Sequence, residues 1–314
     1  MKAVKFTNSL VHLAEIPVPD VGDTDVLVKV SYAAVNAADL LQATGRYSPP
    51  KGTAPDLLGL EFSGTIIAQG INVPLNLTNL RVMGITSGAA QAEFLVIRFD
   101  QVITVPTNMT LLEAGAIPEA YITAYDAIFS QGNYAIGKRV LITGASGGVG
   151  SAAVSLAITA GGIVFGSSRQ SRGRQFVSGI GGKGIAPEEI QDHAPYDLII
   201  ELVGGSSIAP TLSNIAIGGT IVVIGLSSNP TVELNLQTVM QKRAIIRGST
   251  LRSRSLFEKA SIVSTFARDI VPLFEERRIR PYIDSVYDAQ DVHIAYENFK
   301  NNPKFGKLLL KFDS

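Results

Sequence analysis

The 314-residue chain contains no cysteine. That removes disulfides, thiolate nucleophiles and cysteine-ligated zinc together, and it fits a reducing compartment. Net charge is also missing: 27 Lys and Arg balance 27 Asp and Glu. With aromatic residues at only 7%, nothing in the composition draws the chain to nucleic acid or to an anionic membrane. No apolar run reaches the roughly 18 residues that a membrane span needs. The opening MKAVKFTNSL has neither the apolar core of a signal peptide nor a transit-peptide composition, so a cytoplasmic location is the expectation. His12, His193 and His293 are scattered without metal-ligand spacing, and no metal site is expected. Internal repeats and low-complexity tails are absent too.

What remains is a 46% hydrophobic, 17% charged chain, long enough for two domains with a substantial core. In the first 110 or so residues, Val26–Tyr32 alternates apolar and polar as a half-buried strand does, and shorter strand-like pieces follow at Gly64–Ile67 and Phe94–Ile97. A helix is expected through LLEAGAIPEA into YITAYDAIF. From Gly137 onward the pattern changes to apolar strands alternating with helices. The strands are Val140–Thr143, Ile163–Gly166, Asp197–Gly205, Gly218–Gly225 and Ala244–Gly248, with a helix from about Gly148 to Ala160. Such alternation predicts a parallel sheet covered on both faces. A long amphipathic helix is expected at Leu256–Arg278, then strand, helix, strand to the end. The predicted fold class is therefore α/β: a Rossmann-type doubly wound parallel sheet, residues 120–254, placed in the chain between two parts of a β-rich domain, 1–119 and 255–314.

The stretch VLITGASGGVGSAAV, Val140–Val154, carries the chemistry. Glycines allow a sharp turn from strand to helix, a close approach of phosphate, and tight packing of the helix on the strand. The spacing is Ala145-x-Gly147-x-x-Gly150, with Ser146, Gly148 and Val149 completing the turn; Ala145 stands where the usual fingerprint has its first glycine. A P-loop would need Lys and then Ser or Thr after the last glycine, and Ser151-Ala152 fails that test. A dinucleotide pyrophosphate is the better fit. At the end of the next strand, FGSSRQSRGR offers Ser167, Ser168 and Arg169, with Arg172 and Arg174 close behind, and no acid to hold both ribose hydroxyls. Guanidinium suits a phosphate dianion, so NADPH is favoured over NADH, the alternative being arginines on a solvated loop.

The segments VLVKVSYAAVNAADLLQATGRY, LLGLEFSG, AIPEAYITAYDAIF, GASGGVG, GSTLRSRS and FGKLLL together resemble the medium-chain dehydrogenase/reductase superfamily. Within it they resemble the zinc-free, zeta-crystallin-like quinone oxidoreductases, whose first domain is GroES-like. The resemblance implies that Thr123 meets the nicotinamide end and that Gly147, Gly148 and Val149 cradle the pyrophosphate. It further places Gly225 and Leu226 beside the cofactor, runs Leu251, Arg252 and Ser253 past the nicotinamide, and brings Lys307 back towards the cleft. Zinc-dependent relatives have cysteine where this chain has Asn36, and histidine where it has Leu60. The residues that often line the adenosine pocket are missing from the short stretch between Gly173 and Tyr196.

Without a Lewis acid, a conjugated acceptor is the easier substrate, since conjugation spreads the incoming charge and hydrogen-bond donors suffice. Asn36 and Tyr47, in the segment that the resemblance turns to the nicotinamide, are the candidate donors; a cap at Asn36 and an aromatic lid at Tyr47 are their structural alternatives. Glu61 reads as a structural hydrogen-bonding residue. The expectation is an NADPH-dependent quinone reductase, with reduction of an enone, enal or enoyl thioester C=C bond left open. A binding module that senses dinucleotide or holds RNA is the reading from another class, and zero net charge with few aromatics argues against RNA. The Ala244–Gly248 strand at a sheet edge suggests a homodimer.

Overall fold

The computed structural model describes residues 1–226 and 230–312, and the chain divides into two compact units. The first comprises Met1–Ile122, Leu251–Asn302 and Lys307–Ser314; the second comprises Thr123–Thr250 and Pro303–Gly306.

The first unit opens with the hairpin β1 (Lys2–Thr7) and β2 (Leu10–Glu15). The alternating stretch becomes β3, which runs on past the expected Tyr32 to cover Asp25–Val35 and buries Val26, Val28 and Val30. A short helix α1 (Ala37–Ala43) follows, then β4 (Glu61–Gln69), β5 (Arg81–Ile85), β6 (Phe94–Arg98) and β7 (Val102–Thr104). The single helix expected over LLEAGAIPEAYITAYDAIF is interrupted. Helix α2 (Leu111–Ala114) stops at Gly115, and α3 (Pro118–Tyr125) restarts on a proline, which brings no N–H and suits a first helical position. A π-helical turn, Asp126–Gln131, ends the segment.

The second unit contributes β8 (Arg139–Ile142), α4 (Gly148–Thr159), β9 (Ile163–Ser167), α5 (Ser171–Gly179), β10 (Lys183–Ile185), β11 (Tyr196–Glu201), α6 (Ile208–Ser213), β12 (Ile215–Val223), α7 (Leu236–Lys242) and β13 (Ile245–Gly248). Among the described residues these strands form a six-stranded sheet in the order β10-β9-β8-β11-β12-β13, every pairing parallel. Renumbered from its own first strand, that is the 3-2-1-4-5-6 order of a doubly wound dinucleotide fold, with the order reversing between β8 and β11. The strand expected over Asp197–Gly205 ends at Glu201, because Gly204 and Gly205 take left-handed φ of 74° and 57°. Of the arginines after β9, for which a solvated loop is the alternative, Arg169 stands exposed in the turn before α5, while Arg172 and Arg174 lie in α5.

The chain then returns to the first unit. The long helix expected at Leu256–Arg278 is two: α8 (Leu256–Asp269) ends at Ile270 and α9 (Val271–Glu275) begins around Pro272, which cannot donate to the preceding turn. β14 (Ile283–Asp288), α10 (Val292–Asn301) and β15 (Lys307–Lys311) complete the fold. β15 pairs antiparallel with the end of β3, setting Leu308 opposite Val35. That register brings Lys307 to the edge of Asn36. The core of this unit gathers Val28, Val30, Phe62, Ile66, Leu95, Tyr296 and Leu310. Among the described residues no helix is long and apolar enough to cross a membrane.

Candidate active site

In the second unit the site grows from the end of β8. Gly144 adopts φ of 62°, turning the chain back, and Gly147 forms the N-cap of α4. A Cβ on Gly150 would lie 2.5 Å from the Gly144 carbonyl oxygen and 2.7 Å from Ala145 Cα, so only glycine lets the helix sit this close to the turn. A Cβ on Gly147 meets nothing nearer than 3.7 Å. That position is spacious on its own backbone and leaves room for another group. Helix α4 has no capping side chain and no acid in its first turn. Its leading N–H groups and positive dipole end are therefore available to an anion. Ser146, Gly147, Gly148 and Val149 are partly exposed there, while Ala145 is buried and its N–H donates to the Ser167 carbonyl at 3.1 Å. The Pro303–Gly306 segment joins this turn: the Gly306 N–H donates to the Ser146 carbonyl at 3.0 Å. Sequence reasoning did not find that contact.

Beyond β9, Arg174 donates from Nη1 to the carbonyls of Ser168 (3.1 Å) and Arg169 (3.0 Å). It braces the turn, whereas Arg169 and Arg172 are exposed. At the order reversal stands Glu201, fully buried, a residue missed from the sequence although an acid closing the apolar run DLII is a signal. Its Oε1 accepts from Thr143 Oγ1 (2.7 Å), Ser207 Oγ (2.7 Å) and the N–H groups of Val203 (2.9 Å) and Gly204 (3.0 Å). The carboxylate thus clamps the loop after β11 to the end of β8. A Cβ on Gly225 would meet the Leu202 carbonyl oxygen at 2.5 Å, and Leu226 beside it is 44% exposed. Thr123 is buried on α3.

The first unit gathers a second group. Asn36 caps α1: its N–H donates to Asp39 Oδ2 at 2.8 Å, the reciprocal half of a capping box. Its side chain has further work, since Oδ1 accepts from Lys307 Nζ at 2.6 Å and Nδ2 donates to Glu61 Oε1 at 3.0 Å. Lys307 Nζ also pairs with Glu61 Oε1 at 2.6 Å, at side-chain exposures of 5% and 0%. The Glu119 N–H donates to the other Glu61 oxygen at 2.9 Å. One Nδ2 hydrogen of Asn36 is left for another acceptor.

Asp39, Glu119, Arg252 and Lys259 extend this group and were not singled out as members from the sequence, although Arg252 lay in the segment that the resemblance places along the nicotinamide. The Asn36-to-Asp39 spacing is a capping-box signal; the others carry none. Asp39 is buried and its carboxyl is pushed up to about 6 by that burial, against the pull of backbone N–H groups and of Arg252 and Lys307. Glu119 is half-buried, and desolvation with the neighbouring Glu61 charge raises it to about 8. Arg252 donates to the Ser87 carbonyl at 2.8 Å and to Gln42 Oε1, and its guanidinium lies 5.2 Å from the Tyr47 ring. Burial lowers the pKa of Arg252 and of Lys259, whose ammonium donates to Ser87 Oγ. Leu251 is buried in the turn before Arg252, and Ser253 is exposed.

A divalent cation does not fit this donor set. Glu61 already carries the Lys307 ammonium, and Asn36 and Leu60 supply no anionic or imidazole ligand. Among the described residues no group of three or more His, Cys, Asp or Glu is placed to hold a metal. The α4 terminus, by contrast, suits a dinucleotide diphosphate in spacing, room and polarity.

Residues 22–107 match the alcohol dehydrogenase GroES-like domain, and residues 148–265 match the zinc-binding dehydrogenase domain. Human quinone oxidoreductase is 29% identical over 309 residues, spanning 95% of this chain and 92% of its own. The Bos taurus quinone oxidoreductase-like protein 2 is 25% identical over 297 residues, 91% of this chain and 84% of that one. The solved quinone oxidoreductase of Coxiella burnetii superposes with a TM-score of 0.82 at 25% identity, covering 100% of this chain and 99% of that one. A thermostable alcohol dehydrogenase from Pyrobaculum aerophilum reaches 0.87 at 24% identity over 99% of each chain, a likeness of fold. The chain belongs to the medium-chain dehydrogenase/reductase superfamily. It is an oxidoreductase of a family that works with a nicotinamide cofactor.

Proposed function

We propose that this oxidoreductase uses NADPH to reduce a quinone, and does so without zinc. The observation that carries the reading is the uncapped, glycine-lined start of α4, where Gly150 is forced by packing and Gly147 leaves room for a diphosphate. The N–H groups of Gly148 and Val149 bind that diphosphate. Arg169, exposed in the turn after β9, and Arg172, exposed in the first turn of α5, hold the additional ribose phosphate that distinguishes NADPH. Bound reduced nicotinamide supplies a hydride. The remaining Asn36 Nδ2 hydrogen and the Tyr47 hydroxyl hold the acceptor oxygen as charge develops on it. Lys307, hydrogen-bonded to Asn36 Oδ1, polarises that amide and strengthens its donor end. A cation in place of zinc is thus already supplied by the chain.

Steady-state oxidation of NADPH with para-benzoquinones and with short alkenals tests the acceptor class. Quinone-dependent turnover supports the proposal; rapid alkenal turnover with none on quinones moves the assignment to an ene reductase. Arg169→Asp is expected to weaken NADPH binding by roughly 1.5–3 kcal/mol, tenfold to 100-fold, and to leave NADH binding nearly unchanged. Equal NADPH affinity in the variant would show that the phosphate is held elsewhere.

A further inference from the structure

A cavity of about 510 Å³ in the first unit shares Lys259 and Ser87 with the group around Arg252 but takes no part in the proposed reaction. Its volume is in the range of small-molecule sites. Two nearly buried donors line it. Lys259, 2% exposed, has its ammonium on Ser87 Oγ and forms no ion pair within the described residues. Gln101, 3% exposed, has an Nε2 with no hydrogen-bond partner among the described residues. The Glu119 charge acts on this ammonium, yet its one hydrogen-bond partner is a neutral hydroxyl; such an ammonium and a buried amide with no acceptor are both unfavourable unless something else completes them. The rest of the lining mixes apolar Pro50, Val96 and Leu256 with polar and charged Thr53, Lys51 and Arg254. Asp25 and Arg98 also line the cavity; Arg98 pairs with Asp100 at 2.7 Å and feels the Asp25 charge, so the cationic excess of the lining comes from Lys51, Arg254 and Lys259.

We propose that this cavity binds a small monocarboxylic acid with an apolar body, its carboxylate accepting from Lys259 Nζ and Gln101 Nε2. The cationic excess favours an anion, and the two donors of Lys259 and Gln101 match the two oxygens of one carboxylate. Pro50, Val96 and Leu256 offer contact to an apolar body that a bare inorganic anion lacks. The site needs no dinucleotide, so its failure and the failure of the NADPH reading are separable.

Titration calorimetry of the nucleotide-free 314-residue chain with para-bromobenzoate, and with the neutral para-bromobenzamide, tests the site. The acid is expected to bind saturably and the amide at least tenfold more weakly. Lys259→Met is expected to lose at least tenfold in acid affinity and Gln101→Leu several-fold, consistent with removal of a charge-assisted and a neutral hydrogen bond. Crystals soaked with the acid should place the bromine in the cavity by its anomalous signal. Absence of saturable binding to the unmutated chain, equal affinity in both variants, or bromine elsewhere would overturn the proposal. If Lys259→Met does not fold, Gln101→Leu and the soaked crystal decide it.

Discussion

Replacing Lys307 by Met removes an ammonium that is 5% exposed and 2.6 Å from both Glu61 Oε1 and Asn36 Oδ1. Methionine is close in length and volume, so little of the effect comes from a cavity. The variant leaves a wholly buried Glu61 carboxylate supported, among the described residues, only by Asn36 Nδ2 and the Glu119 N–H. Removing one partner of a buried ion pair costs about 3–5 kcal/mol, because the survivor stays desolvated without its counter-charge. With an unfolding entropy of about 2.1 cal/mol/K per residue, a chain of 314 residues loses about 1.5 °C of Tm per kcal/mol. The expected fall is therefore roughly 5–8 °C by scanning calorimetry. Adding Glu61→Gln should recover most of it, since the remaining amide carries no stranded charge. A single variant as stable as the parent, or a double variant no more stable than Lys307→Met alone, would refute the pairing as the source of stability.

Glu119→Gln should stabilise the chain at pH 9 more than at pH 5. The folded pKa of about 8 lies above the ordinary 4.5, so the folded state holds its proton longer and stability falls as pH rises from 4.5 through 8. Equal shifts at both pH values by thermal melting would contradict this. Gly150→Ala should destabilise by a few kcal/mol, because its Cβ meets only backbone, while Gly147→Ala leaves Tm nearly unchanged yet weakens dinucleotide binding. If calorimetry shows both or neither destabilised, the turn is not packed as described. Strand β13 lies at the sheet edge with Ile245 and Ile246 exposed at 42% and 38%, and a second copy is proposed to pair there. Light scattering should give twice the 33.3 kDa chain mass, and Ile246→Lys should return it to one; a monomeric parent chain would sink the idea.

Much of the second unit was legible because its grammar is local. Val140–Thr143 is apolar throughout, its glycines follow at once, and the small residues after Gly148 suit a helix buried from Gly150 to Ala157. The alternation in Val26–Tyr32 likewise marked β3. Misreadings came where one residue overrode a longer pattern: Pro272 splits a helix whose periodicity continues through it, and Gly115 with Pro118 does the same to α2 and α3. Helix α5 was obscured by its composition, SRGRQFVSG, which buries only Gly173 and Val177. The first-unit cluster was the least legible. Lys307 and Asn36 meet across 271 positions, brought together by the β15–β3 register, and no spacing along the chain encodes that meeting. Lys259 and Arg252 reach Ser87 in the same non-local way.

The most direct measurement is calorimetric titration of the folded, nucleotide-free chain with NADPH and with NADH. One site per chain is expected, with NADPH bound at least tenfold more tightly. No heat of binding for either nucleotide would contradict the account at its root.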